Sequence, residues 1–226
     1  MENLDHDLIH RALFGLDDED VRQHFLAHFL KEIKQFESTM VAVLVRWRDF
    51  EKSFRKDQDS GTVVGVLYMV IVRLIQSMNL LKIGNITLAG AAMRQVIEAI
   101  ALSLLFSKIE LPYLKLAWEK KFSVNKAIIK IKKHHKKLNL NEEALNVMEK
   151  SQNFYDELSH PTIFSMGDNI QLDGPGIYYL GASFDKSKLQ FYQKEINSRV
   201  GLANILINII DGVTRQMRDW PNLAKC

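Results

Sequence analysis

Two segments of the chain bring charged or protonatable side chains to places where chemistry is feasible. In the first, Arg94 and Glu98 stand four residues apart in an apolar stretch, so a helix would place them on one face where they can pair. An ion pair turned inward from such a stretch is costly unless it is well hydrogen-bonded. The pair therefore indicates either a ligand site or a polar lock that fixes the register of packed helices.

The second segment is a helix end with the pattern Tyr-x3-Ser-His-Pro, in which Tyr155, Ser159 and His160 precede Pro161. Histidine has an ordinary pKa of about 6.5, which suits general acid or base chemistry near neutral pH. Tyr155 and Ser159 lie about one turn apart and could orient the ring of His160. The alternative is a helix-end histidine that bonds a carbonyl and only shapes the turn.

Together these segments resemble a group of bacterial helical proteins related to the HEPN superfamily, named for higher eukaryotes and prokaryotes nucleotide-binding. The resemblance covers about residues 60–215. It implies an all-helical bundle, a homodimer, and a role in defence, toxin–antitoxin or RNA-processing systems. Catalytic members cleave RNA without a metal, using an Arg followed, after four to six residues, by a His. There, His moves a proton and Arg stabilises charge on the phosphate.

The chain departs from that motif, because positions 153–155, where the Arg would stand before His160, hold Asn, Phe and Tyr. We therefore expect a non-catalytic or regulatory binding module. The alternative is a metal-independent ribonuclease with His160 and Arg94 as its catalytic residues, and a second alternative is a structural helical dimer without a ligand site. The expected binding region comprises Arg94, Glu98, Tyr155, Ser159 and His160.

A basic stretch offers a separate surface. Residues 115–137 contain nine Lys and one acid, and within them residues 126–137 interleave Lys with Ile as an amphipathic helix does. Such a stripe can attract RNA or an acidic partner, although a solvated helix face explains it equally simply. The lysines expected to make the contact are Lys132, Lys133 and Lys136.

Metal chemistry has weaker support. Two histidine pairs, His6 with His10 and His24 with His28, have the spacing that puts both rings on one helix face. Neither pair belongs to an H-E-x-x-H motif, and Phe25 beside the second pair marks a buried face. We expect ordinary histidines, no metal and no cofactor.

Composition bounds the class of protein. The 226 residues are 47% hydrophobic, with 11 Gly, 4 Pro and 1 Cys, and carry a net charge of +3. These values exclude a disordered or collagen-like chain, a disulfide scaffold and a zinc site built on thiolates. The sequence predicts a single domain over residues 1–226, all-α, built as an antiparallel bundle of about six helices.

Hydrophobic periodicity supplies the elements that would position these residues. Apolar residues recur every three or four positions from Phe25 to Phe54, which predicts one long helix over about 18–57 after an acidic segment at 1–16. The alternating pattern near 168–182, inside an insert at 163–184, predicts a small β-hairpin. The remaining helices are predicted at 62–82, 86–108, 113–138, 141–159 and from 185 onward.

Two apolar stretches invite a membrane assignment. Residues 62–72 are too short to span a bilayer, and residues 86–106 carry Arg94 and Glu98 near their middle, where a charge costs several kcal/mol. We expect both to be core helices of a cytoplasmic protein that does not enter a membrane.

Overall fold

The computed structural model describes residues 2–167, 170 and 178–221. Within these residues the chain forms eight helices of six residues or more, one four-residue helix and no β-strand, so the all-α prediction is confirmed and the predicted count of six is wrong. The helices are α1 (Glu2–Phe14), α2 (Asp18–Phe54), α3 (Gln58–Lys82), α4 (Ile86–Phe106), α5 (Tyr113–Trp118), α6 (Ala127–Leu138), α7 (Glu142–Ser159), α8 (Ile163–Met166) and α9 (Leu189–Arg218).

Two differences account for the extra helices. The acidic segment at 1–16 is helical as α1, and Gly15 follows it with a φ of 61°. The helix predicted over 113–138 is two helices, because α5 ends at Trp118 and Lys120 adopts a φ of 56°. That left-handed conformation is uncommon for a residue other than Gly, Asn or Asp, so nothing in the local sequence marks the break.

The predicted hairpin is not supported. Its central residues, 171–177, lie outside the described part of the chain, as do 168–169. Among the described residues an isolated antiparallel bridge joins Ile170 to Tyr178, without a strand on either side. Asp185 starts the final helical segment as expected, because its side chain accepts a hydrogen bond from the Ser187 N–H before α9 begins.

The long helix α2 follows the predicted apolar stripe. The stripe positions on this helix are buried except for Ile33 and Trp47, which are partly buried against the core. They face α9 and α3, the two helices that α2 contacts most. The side chain of Asp17 precedes α2 and pairs with Arg11 instead of capping the helix.

The central helices are α3 and α4, which form the most extensive helix pair in the fold. Both are long and apolar enough to cross a membrane by length and composition alone, and in α4 72% of the most apolar window is buried inside the bundle. Such burial is what a core helix shows, and it is compatible with a soluble protein. The cytoplasmic location stays a prediction.

A close approach between α4 and α7 fixes the geometry of the site. Gly90 on α4 lies against Leu158 on α7, and a Cβ at this position would stand 2.6 Å from a methyl carbon of Leu158. The absence of a side chain at Gly90 therefore lets α7 approach α4 closely. One turn further along α4, Arg94 reaches the end of α7.

Candidate functional site

The structure brings together Arg94 and His160, which lie 66 positions apart in the chain. Arg94 Nη1 stands 3.4 Å from His160 Nε2 and donates to Asp156 Oδ1 at 2.8 Å, while its Nε donates to Glu98 Oε1 at 3.1 Å. His160 Nε2 lies 3.5 Å from the same Asp156 oxygen. We call Arg94, Glu98, Asp156 and His160 the Arg94 cluster.

The turn after α7 holds His160 in place. The backbone N–H of His160 closes the last turn of α7 on the Asp156 carbonyl, and Pro161 then prevents the helix from continuing. Thr162 and Ser165 form a reciprocal capping box at the start of α8, and the Ser165 hydroxyl also donates to the His160 carbonyl at 2.6 Å. His160 therefore sits on a braced corner between two helices.

The exposure of the side chains in the Arg94 cluster increases from the core to the surface. The exposed side-chain fraction rises from 13% in Glu98 and 22% in Arg94 to 47% in Asp156 and 58% in His160. His160 also borders an open hollow of about 440 Å³ between the start of α4 and the turn after α7. The lining of this hollow is Asn85, Thr87, Leu88, Ser159, His160, Pro161, Ser165 and Met166.

Charge in the cluster is unbalanced toward the acids. Arg94 contributes one positive charge, and Glu98 and Asp156 contribute two negative charges, so the cluster sums to −1 with a neutral imidazole. Both carboxylates approach the guanidinium directly, Glu98 at Nε and Asp156 at Nη1, and together they outweigh its single charge. Little of the positive field of Arg94 is left for an incoming anion.

Two predicted members of the site, Ser159 and Tyr155, form hydrogen bonds to groups other than the His160 ring. The Ser159 hydroxyl donates to the backbone carbonyl of Asp156, although Ser159 does line the hollow. Tyr155 is buried and points into the bundle, where its hydroxyl donates to Glu195 Oε2 at 3.2 Å. Burial raises the pKa of the Tyr155 phenol well above its ordinary value, so the hydroxyl stays protonated as a donor.

Tyr155 belongs to a buried network on α9 that sequence reasoning missed. Arg199, fully buried, donates through Nη1 to Glu195 Oε2 at 2.9 Å and through Nε to the Ser77 hydroxyl at 2.9 Å. Its Nη2 donates to the Ala89 carbonyl at 3.3 Å. The sequence does hold a signal, because Glu195 and Arg199 stand directly beside the apolar positions Ile196 and Val200 of α9, where a charge requires a buried partner.

Four of the five lysines of α6, all except Lys130, fall into two groups. Lys132 makes an ion pair of 2.7 Å with Glu149 on α7. Lys133, Lys136 and Lys137 are exposed and have no ion-pair partner among the described residues; we call them the basic face of α6. Desolvation, together with the charges of neighbouring lysines, lowers the pKa of His134 on the same helix. The basic face therefore carries an uncompensated positive potential.

The histidine pairs lie in ordinary aromatic contacts. The ring of His24 stacks on Phe184 with centroids 5.5 Å apart, and His28 Nδ1 lies 2.8 Å from the His24 carbonyl oxygen. The His6 and His10 rings stack with centroids 6.4 Å apart. Across the described part of the chain, no group of three or more His, Cys, Asp or Glu side chains is placed to hold a metal ion.

No known family model, curated protein or solved structure matches the chain. The features of the chain that bear on function are therefore the Arg94 cluster, the basic face of α6 and the residues around them.

Proposed function

We propose that the chain is a non-catalytic binding module of HEPN-like type that binds single-stranded RNA through the basic face of α6. The proposal that the module is non-catalytic is supported by the position of Arg94 between Glu98 and Asp156, at 3.1 and 2.8 Å. A cation so engaged is poorly placed to stabilise charge that develops on a phosphate.

The ribonuclease alternative requires the Arg94 cluster to attract a phosphodiester. His160 is exposed and 3.4 Å from Arg94, which supports a proton-transfer role for its ring. Asp156 stands 3.5 Å from the same ring nitrogen, however, and its exposed carboxylate would face the phosphate. Like charges repel across such distances, and for this reason we favour the non-catalytic function.

The proposal that the chain binds RNA is supported by the exposure of Lys133, Lys136 and Lys137. Lysines that neutralise phosphates release counterions from the nucleic acid, which makes binding strongly salt-dependent. Ile129, 62% exposed on the same helix, adds apolar surface beside the charges. Lys132 is already neutralised by Glu149, so its contribution is expected to be smaller.

Fluorescence anisotropy with a labelled single-stranded RNA tests this binding. Replacing two lysines in Lys133→Gln plus Lys136→Gln should weaken binding and reduce the slope of log K against log salt by about 1.4, because each phosphate that a lysine neutralises on a single strand adds about 0.7 to that slope. The control is Lys31→Gln plus Lys34→Gln, which removes two exposed lysines from α2. This control variant should change the affinity for RNA and its salt dependence only slightly.

Equal weakening in the two double variants would mean that net charge alone drives binding, and would contradict a specific face on α6. If the chain bound an acidic protein but not RNA, RNA would be the wrong ligand and an acidic protein would take its place in the proposal. A homodimer and a role in a defence or toxin–antitoxin system, both implied by the resemblance, stay predictions.

A further inference from the structure

An apolar cleft lies between α7 and α9, and its lining contains no residue of the Arg94 cluster or of the basic face of α6. Its volume is about 420 Å³. Helix α4 forms the floor, and α7 and α9 form the walls. The lining is Met93, Ile97, Ile100, Leu104, Leu140, Ala144, Leu145, Val147, Met148, Ser151, Tyr155, Ser198, Gly201, Leu202, Ile205 and Ile209.

The floor of this cleft belongs to the hydrophobic core. Met93, Ile100 and Leu145 are each less than 5% exposed, yet they face open volume. Protein interiors are normally packed without voids of this size, and small-molecule pockets span about 300–1,000 Å³. The depth and volume of the cleft therefore fit a small molecule better than a flat protein surface.

The polar groups of the cleft gather at one end. Ser151 and Tyr155 lie one turn apart on α7. Ser198 lines the cleft from α9, and its hydroxyl donates to the Lys194 carbonyl, so that it can only accept from a ligand. The opposite end, near Leu140 and Ile209, is apolar. An elongated ligand would therefore place one hydrogen-bonding group beside the two serine hydroxyls and its apolar body along α4.

The cleft has no charge to offer a ligand. None of the lining side chains is ionised, since Tyr155 is a protonated donor to Glu195. The charges directly behind this end, Glu195 and Arg199, neutralise each other at 2.9 Å. A buried ionised head group would find no partner here and would be strongly disfavoured.

We infer that the cleft is a binding site for an uncharged, mainly apolar small molecule with a single hydrogen-bonding head group. This site does not depend on RNA binding, and its failure would leave the proposed function intact. The competing occupant is a second copy of the chain, because the rim residues Val147 and Ile205 are 59% and 49% exposed. The buried apolar floor favours the small molecule.

The test uses the full chain and the neutral fluorescent probe N-phenyl-1-naphthylamine. The decisive variant is Gly201→Leu, because Gly201 lines the cleft and a Cβ there meets nothing within 4 Å. The added side chain enters the cleft without disturbing the core. The matched control is Gly65→Leu, which is also a glycine inside a helix with open space around its Cβ.

Saturable binding of the probe to the wild-type protein is expected, with at least tenfold weaker affinity in Gly201→Leu and unchanged affinity in Gly65→Leu. Val147→Phe narrows the cleft from the opposite wall and should act like Gly201→Leu even if that variant folds poorly. Decanol should displace the probe at least tenfold more effectively than decanoate, because the cleft lacks a cation.

Several results would overturn the inference. These are an absence of probe binding to the wild-type protein, equal effects of the cleft and control variants, or displacement by decanoate as effective as by decanol. Light scattering distinguishes the competing occupant: a wild-type dimer that Gly201→Leu converts to a monomer, without probe binding, would make the cleft a self-association surface.

Discussion

At the scale of single residues, the side chains around Arg94 determine which chemistry the site can support. A guanidinium whose charge is not balanced by carboxylates, beside a histidine, would suit phosphate chemistry. Arg94 instead bonds Glu98 on its own helix and Asp156 on α7, and His160 completes the group at 3.4 Å. Within the Arg94 cluster, the side chain most open to solvent is that of His160, at the rim of a hollow and beside a carboxylate.

The buried phenol of Tyr155 predicts how the stability of the protein changes with pH. Burial raises the pKa of its phenol in the folded protein, so the unfolded chain ionises first as pH rises above about 10. The stability linked to Tyr155 is fully present below that pH and is lost as pH rises toward the folded-state pKa. Unfolding of Tyr155→Phe above pH 10 should therefore release about one proton fewer than unfolding of the wild-type protein.

Denaturant unfolding at several pH values between about 8 and 11 measures this difference. Tyr113, whose pKa burial also raises, remains in both proteins and cancels in the comparison. Parallel stability curves for wild type and Tyr155→Phe across this range would contradict the buried, protonated donor.

Part of the Arg94 cluster could be predicted from sequence. The spacing of Arg94 and Glu98 predicts their pairing, and the structure confirms it. At about 100° per residue, position 156 lies about 40° from position 160 around the helix and position 155 lies about 140° away. Helical geometry therefore favours Asp156 over Tyr155 as the neighbour of His160, and the Tyr155 hydroxyl donates to Glu195 instead.

At the scale of helices, the contact between α4 and α7 is what places Arg94 beside His160. Gly90→Ala should destabilise the protein by about 1–3 kcal/mol, because the new methyl overlaps Leu158 in a packed interface. The better helix propensity of Ala, worth about 1 kcal/mol, offsets only part of this cost. Urea unfolding measures the change in the free energy of unfolding.

The control for this substitution is Gly65→Ala on α3, where a Cβ meets nothing within 4 Å. Only the propensity term acts there, so this variant should be more stable than wild type by up to about 1 kcal/mol. A Gly90→Ala protein as stable as Gly65→Ala would show that the α4–α7 contact is looser than the structure indicates.

The long helices were readable from the sequence because a single face of each is apolar over many turns. The stripes of α2 and α9 are almost wholly buried, and Asn141 caps α7 as its position predicts. The break between α5 and α6 was not readable, since it depends on a left-handed Lys120. The alternating residues near 170 predict strands, but the described residues there hold only one bridge.

At the scale of the whole molecule, the network around Arg199 ties four helices together. Arg199 and Glu195 on α9 reach Ser77 on α3, the Ala89 carbonyl on α4 and Tyr155 on α7. Arg199→Met should cost about 3–5 kcal/mol, because it leaves Glu195 buried without its partner. Urea unfolding again provides the measurement.

A surface pair gives the matched comparison for this substitution. Arg55 pairs with Glu51 at 3.0 Å on the exposed end of α2, so Arg55→Met should change stability by less than about 1 kcal/mol. The double variant Glu195→Gln plus Arg199→Met should recover part of the stability, since no charge stays buried. A cost for Arg199→Met as small as that for Arg55→Met would contradict the network.

We propose above that the protein binds RNA and leaves it intact. To test both parts together, end-labelled single-stranded RNA is incubated with the protein in metal-free buffer, and each sample is run on native and denaturing gels. We expect a shifted band on the native gel and full-length RNA on the denaturing gel. Shortened products that disappear in His160→Ala would contradict this proposal and establish the ribonuclease alternative.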